Sequence, residues 1–459
     1  MRKVFILACL MTSMCLFGCN KSQKLQTTEP VESTAEAKII ETEAQAVGTE
    51  AKAVETEAKV VEAEGCAPSS KGAVAEVSAW VDANNALGLA LLRAEPLQEC
   101  AGTIVSPYSV QRALGMVLEG ACGETAAQMR TALFLPDAEN LSRLGSEVEA
   151  TLLSRLGEDV TINIDNRLWV EKTFTLAEDY LARVRDSYRA LPEAVDFINE
   201  SEASRKRIND AVAKATNDRI KDILPNGSVS SLTRLVLTNA VFFKAPWEDP
   251  FNARFTRKGD FAAPHGTVQV DMMHQSEQFS LYTHEQFMSL VMPYVGRSYG
   301  LLVILPNRIE GKSELEALGD VEARLTPELL RAMIMEGTSA RVDITLPKFK
   351  IEADLRLKDL LTALGMKLAF ETEADFSRMA AERLLFISEV FHKAFIEVNE
   401  EGTEAAAATA VSMKGGGVGL MDPPPPIPFI VDRPFAFAIV HQPTGTVLFM
   451  GRVTDPTKT

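Results

Sequence analysis

The stretch Glu400-Glu401-Gly402-Thr403-Glu404-Ala405-Ala406-Ala407-Ala408-Thr409-Ala410-Val411-Ser412-Met413-Lys414 can be read in two incompatible ways. Local propensity makes it a helix: Thr403 caps it, the alanines propagate it, Lys414 suits its last turn and Gly415 its end. Parity makes it a strand. Thr403, Ala405, Ala407, Thr409, Val411 and Met413 alternate with Glu404, Ala406, Ala408, Ala410, Ser412 and Lys414, so every charge falls on one side. Such a strand can bury one face on a core and keep the other wet, and its small side chains can enter a sheet without prising it open. Propensity by itself favours the helix.

Working outward, the stretch is followed by the glycines Gly415 to Gly417 and the prolines Pro423 to Pro426. Beyond them Phe435 to Val440 and Val447 to Val453 read as a strand pair joined through a turn with Pro443 and Gly445. Upstream, Arg341 to Leu346 alternates with Val342, Ile344 and Leu346 on one side, and a helix near Leu355 to Leu364 stops at Gly365. Leu235 to Phe243 and Gly300 to Leu305 are almost unbroken apolar runs, as strands covered on two faces require. The earlier part is mostly helical. Ser106 before Pro107 is an N-cap with proline at the first helical position, leading Val110, Leu114, Val117 and Leu118 down one face, and Thr125 to Gln128 reads as a capping box. Helices followed by strands, without a βαβ repeat, give an α+β chain.

The chain has 459 residues, 46% hydrophobic and 24% charged, with a formal net charge of −16. That length can bury a large core, and an acidic chain without a Lys/Arg cluster is no partner for nucleic acid or other polyanions. The five histidines, His265, His274, His284, His392 and His441, accompany no GxSxG elbow and no HExxH helix. Gly311-Lys312-Ser313 ends like a phosphate loop, but Pro306 stands where its first glycine belongs, and Gly415 to Gly417 lacks a following lysine. The expectation is a protein that is no enzyme, with no catalytic residues, no cofactor and no metal.

The N-terminus reads as an export signal over residues 1–18: Arg2 and Lys3 are followed by an apolar run, Val4 to Phe17, too short to span a bilayer comfortably. Leu16-Phe17-Gly18-Cys19 resembles a bacterial lipobox, which makes Cys19 the expected lipidation site and the protein an extracytoplasmic, membrane-anchored lipoprotein. Phe17 is bulkier than that pattern prefers, and a soluble secreted or periplasmic form is the alternative. Residues 19–72 form a tether carrying four seven-residue repeats between Ala35 and Glu62, with Ala37, Ile40, Ala44, Val47, Ala51, Val54, Ala58 and Val61 at a/d spacing. Alanine at every a position buries little, so a weak coiled coil and a disordered linker both remain open. Cys66, Cys100 and Cys122 are odd in number, so at least one has no intrachain partner. The folded domain is assigned to residues 73–459.

The quoted stretch closely resembles the hinge of the serpins, in which two charged residues precede Gly-Thr, a variable residue, four small residues and another Thr. The resemblance extends over the whole domain. Val105-Ser106-Pro107-Tyr108-Ser109 with Ala113-Leu114, Leu237 to Lys244 with Trp247, Leu346-Pro347-Lys348-Phe349-Lys350, Val390-Phe391-His392-Lys393-Ala394, Asp432-Arg433-Pro434-Phe435 and Leu448 to Val453 are all similar to that family, in order. One departure is Arg433, where the family usually has His.

The resemblance implies a serpin fold of three β-sheets with about nine helices and an exposed reactive-centre loop. It implies a suicide inhibitor of serine endopeptidases, with cysteine endopeptidases as a second target class. The protease acylates the loop, and the cleaved segment inserts into the central sheet before the acyl bond is hydrolysed. The expected partners are that protease, held covalently, and the membrane through the lipid, with a monomeric domain. The hinge would be Glu400 to Thr409; Ser106, Ser109, Asn239 and His392 would form a polar cluster under the sheet where strands part; and Trp247 would sit where insertion starts. Counting from Gly402 puts the reactive bond at Gly416-Gly417. Gly402 and Pro434 are 32 positions apart, a few more than is usual, so Lys414, Val418, Leu420 and Met421 stay as alternatives, each implying a different protease. A non-inhibitory binding or interaction protein is the second reading.

Overall fold

The computed structural model describes residues 70–97, 102–136, 138, 140–154, 159–190, 192–381, 384–404 and 424–458. The expected signal, Cys19, the tether as far as residue 69, Cys66, Cys100, the hinge beyond Glu404 and the reactive-bond candidates Lys414, Gly416, Gly417, Val418, Leu420 and Met421 lie outside them, whereas residues 70–72, assigned to the tether, belong to the first helix of the folded unit. The described residues all fall in the compact unit Ala67–Thr459.

The chain runs α1 (Ser70–Ala94), β1 (Thr103–Val105), α2 (Pro107–Leu118), α3 (Gly123–Ala132), α4 (Leu141–Leu153), β2 (Thr161–Glu171), α5 (Glu178–Tyr188), β3 (Glu193–Val195), α6 (Phe197–Ala215) and β4 (Leu235–Pro246). Strands then dominate: β5 (Arg257–Ala263), β6 (Gly266–Thr283), β7 (Phe287–Pro293), β8 (Tyr299–Pro306), α7 (Glu314–Arg324), α8 (Pro327–Met335), β9 (Thr338–Pro347), β10 (Phe349–Arg356), α9 (Leu357–Ala363) and β11 (Ile387–Val398). Last come β12 (Gly402–Thr403), β13 (Ile427–Ile430), β14 (Phe435–His441) and β15 (Thr446–Val453). Among the described residues there are thus nine α-helices, and the chain is α+β as expected.

The long β6 pairs with β5, β9 and β7 and so joins two of the expected three sets of strands by continuous hydrogen bonding into one nine-stranded sheet. The other sheet has the order β10-β11-β12-β4-β2-β3. Its centre is apolar on both faces. Val236 and Ala240 of β4 pack with Phe197, Ile208 and Val212 of α6, whereas Leu235 and Leu237 pack with Val110, Leu114 and Val117 of α2. Alternate residues of an extended strand point to opposite faces, which is why β4 reads as a continuous apolar run.

Most local signals fold as read. The Ser106 hydroxyl accepts from the Ser109 N–H at the start of α2, with Pro107 in the first turn. The pairs Phe435↔Val453 to His441↔Thr446 form the expected antiparallel ladder. Two readings need correction. Thr125 and Gln128 make no capping box: α3 already starts at Gly123, and their side chains instead accept from the backbone N–H groups of Asp375 and of Lys367 and Leu368. Tertiary partners have taken the groups that a local cap would use. The helix before Gly365 starts at Leu357, because Leu355 and Arg356 remain paired to His392 and Phe391 in the β10–β11 ladder.

Candidate functional site: a seam between two central strands

Two parallel strands meet at the middle of the six-stranded sheet. β4 and β11 pair from Ile387↔Leu235 to Ala394↔Val241. Above that point they part, and Gly402–Thr403 lies between them, Gly402 opposite Pro246, and Thr403 opposite Ala245 on one side and Val398 on the other. The seam is therefore zipped below and already wedged at one end.

The wedge is held by a dense set of bonds. Asn399 turns the chain, its side-chain oxygen accepting from the N–H groups of Glu401 at 3.0 Å and Gly402 at 3.3 Å. Trp247 donates its indole N–H to the Asn399 carbonyl and its backbone N–H to the Glu401 carbonyl, both at 2.9 Å. Its ring stacks on Tyr294 at 4.6 Å, and the Tyr294 hydroxyl lies 2.6 Å from the Thr403 hydroxyl. Glu400 pairs with Lys348 at 3.0 Å and accepts from Thr256 at 2.8 Å. Against the cost of burial, the bonds from Lys348, its own backbone and Thr256 hold its carboxyl below the usual range. Gly402 has φ of +153°, and a Cβ there would run into the Ala245 carbonyl, so the residue must be glycine on both counts.

Glu404 departs from the parity reading, which put it on the wet face. Its side chain is 2% exposed. The backbone turns into the left-handed region at this residue, φ +50°, so strict alternation ends there and the carboxyl points toward Arg219, 3.4 Å away.

Below the wedge, a buried polar network crosses the seam itself. Asn239 of β4 and His392 of β11 are register partners, and the Asn239 side-chain oxygen bonds to His392 Nδ1. His392 Nε2 accepts from the Ser106 N–H at 3.1 Å, so the ring proton belongs on Nδ1 and the imidazole is neutral. Burial agrees with this, pushing the His392 pKa down to about 3. Asn239 also donates to the Ser109 hydroxyl and to Asn166, 2.7 Å away, and Ser106 donates to the Leu448 carbonyl at 2.7 Å.

The structure thus brings Ser106, Ser109, Asn239 and His392 together, and separately gathers Trp247 with Glu400, Glu401, Gly402 and Thr403. Sequence reasoning missed Asn166, Tyr294 and Arg219. Asn166 had a weak signal, a polar residue in the middle of a strand. Tyr294 had none, because its partner Thr403 is 109 residues away. Cys122 is a free thiol, and among the described residues no His, Cys, Asp and Glu cluster has the geometry to hold a metal.

This geometry has known counterparts. Residues 82–456 match the family model described as serpin (serine protease inhibitor). An uncharacterised serpin-like protein of Thermococcus kodakarensis is 41% identical over 76% of this chain and 80% of its own. The leukocyte elastase inhibitor of Sus scrofa is 37% identical, covering 82% of this chain and 98% of that protein. Among solved structures, Serpin48 of the insect Tenebrio molitor superposes with a TM-score of 0.70 at 32% identity, over 85% of this chain and 99% of the other.

Proposed function

The chain belongs to the serpin family of protease inhibitors, and from that premise we propose that it is a suicide inhibitor that traps an acylating endopeptidase by inserting its own cleaved loop between β4 and β11. One observation carries this reading: the loop base, Gly402–Thr403, already occupies the sheet position that insertion would extend.

The register supports a concrete path. Continuing downward from Gly402 opposite Pro246, each further residue meets the preceding residue of β4, so Met413 would reach Leu235, where the strand begins, and Lys414 would reach Arg234. A bond at Gly416-Gly417 then leaves its acyl carbon just past the end of the sheet, with little slack between serpin and protease. Bonds at Val418, Leu420 or Met421 leave progressively more. Short tethers favour distortion of the trapped protease, which supports Gly416 or Lys414 over the later candidates.

Insertion gives up the parallel β4–β11 ladder and makes two antiparallel ones. A net gain of about ten hydrogen bonds at ~1 kcal/mol each, with Val411 and Met413 buried at about 1.5–3 kcal/mol each, gives a drive of order ten kcal/mol. Serpins as a family are the established case of a reactive loop that adds itself to its own sheet and releases stored strain, which supports this reading, and the register and residues above are what this chain contributes to it. The Asn239–His392 bond opposes insertion, since it spans the two strands that must separate. Thr403 is already seated, and neither a charge nor a ring stands at that position.

On this proposal the molecule works outside the cytoplasm, carried on residues 19–72 and a lipid at Cys19. The test is incubation with trypsin, elastase, subtilisin and chymotrypsin, followed by a denaturing gel and mass spectrometry. A complex that survives denaturation supports the inhibitor, and the released peptide identifies the bond. Clean cleavage without any complex, and without a rise in melting temperature, would leave the binding-protein reading instead.

A further inference from the structure

Glu404 is an ionisable group in an awkward place. Its side chain is 2% exposed, yet neither carboxyl oxygen has a hydrogen-bond partner, and its backbone sits at φ +50°. Burying an ionised carboxylate without hydrogen bonds is costly, and one ion pair with a partner that is itself half exposed offsets only part of that cost. The burial exists only while β12 is seated, because Glu404 is the next residue after it and its N–H bonds to the Glu397 carbonyl at 2.9 Å.

We propose that Glu404 and Arg219 form a proton-operated catch on the hinge: with the Glu404 carboxyl protonated, β12 stays seated between β4 and β11, and with it ionised, the hinge is released and more of the loop becomes available to a protease. This rests on reading Gly402–Thr403 as the base of an inserting loop.

The charged surroundings come from every packed element. Arg219 in the connection after α6, Lys244 of β4 and Lys350 of β10 favour the ionised form; Glu397 of β11 opposes it. Asp218 lines the same cavity of about 530 Å³, together with Asn217, Arg219, Lys244 and Glu404, so solvent protons can reach the site. Burial is the largest influence and outweighs the cations, raising the Glu404 pKa from 4.5 to about 7. The sign follows. The seated state binds the proton more tightly than the released state, so seating is favoured at low pH. Between the two pKa values each unit of rising pH shifts the ratio of released to seated hinge about tenfold toward release.

Hydrogen exchange of the peptide carrying Val398 to Glu404, measured by mass spectrometry from pH 5.5 to 8.5, tests the catch without any protease. Dividing the wild-type rate by that of Glu404→Gln at each pH removes the intrinsic pH dependence of exchange. The ratio should climb steeply from pH 5.5, bend at a midpoint near pH 7 and be flat at the alkaline end, and Arg219→Gln, which keeps the carboxyl but loses its cation, should move that midpoint to higher pH. A ratio constant over the whole range, or an unmoved midpoint in Arg219→Gln, overturns the proposal. If Glu404→Gln does not fold, the Arg219→Gln midpoint against wild type decides the matter alone. A working catch in a chain that traps no protease would sink the inhibitor reading and leave the catch standing.

Discussion

The hydroxyls of Tyr294 and Thr403 lie 2.6 Å apart in a fully buried site. This one contact ties the end of β7 to the base of the loop, and Trp247 stacked on the same ring extends the clamp to Asn399 and Glu401. Burial pushes the Tyr294 phenol well above its usual range, so it stays protonated at any physiological pH.

Tyr294→Phe removes the clamp's hydroxyl and leaves that of Thr403 buried without its partner. The native state should lose about 1–2 kcal/mol, read from urea unfolding, with faster hydrogen exchange at the Glu404 amide.

Gly402→Ala puts a Cβ against the Ala245 carbonyl at φ +153°. Either the strands shift or β12 leaves the sheet, at a cost of about 1–3 kcal/mol for the strained backbone. A red shift of tryptophan fluorescence, from Trp247 losing its cover, should accompany exchange at the hinge; unchanged spectra would show that the sheet accommodates the methyl.

Thr403→Arg puts a charge at a seated position with no exposure, so β12 should leave the sheet in the native state, and insertion must then bury that charge before the rest of the loop can follow. An unpaired buried charge costs several kcal/mol, and each ~1.4 kcal/mol on the insertion barrier slows it tenfold. A protease that forms a complex with wild type should instead cleave this variant and escape, lowering the trapped fraction on a denaturing gel by at least about tenfold.

His392 makes the fold acid-sensitive. Its folded pKa, about 3, lies below the unfolded value, so the neutral ring's contribution is complete above pH ~6.5 and is lost as pH falls toward 3. Stability should drop by about 1.4 kcal/mol per pH unit through that window. The melting temperature of His392→Gln, though lower overall, should vary less between pH 6.5 and 4; an equal slope in both proteins would assign the acid sensitivity elsewhere.

Much of the fold was legible because its signals are local. The Ser106-Pro107 cap, the apolar run of β4 and the alternation of Val342, Ile344 and Leu346 each state their own burial. The polar cluster was reachable only through family resemblance, since nothing in the spacing of Ser106, Asn239 and His392 predicts that they touch. Arg219 was not reachable at all: it lies in an irregular connection, and its pairing to Glu404 exists only because the loop base turns left-handed there.

By itself the sequence determined the elements, the α+β class and the glycine, threonine and alanine run that lets a segment choose between helix and strand. That choice at Gly402–Thr403 belonged to the tertiary structure. An isolated helix gains from its own backbone bonds, but a gap between β4 and β11, floored by Tyr294 and closed by Trp247, offers Thr403 hydrogen bonds and burial that no local conformation supplies. The same gap buried Glu404, because the environment of a carboxylate is set by what packs around it and not by its neighbours in the chain.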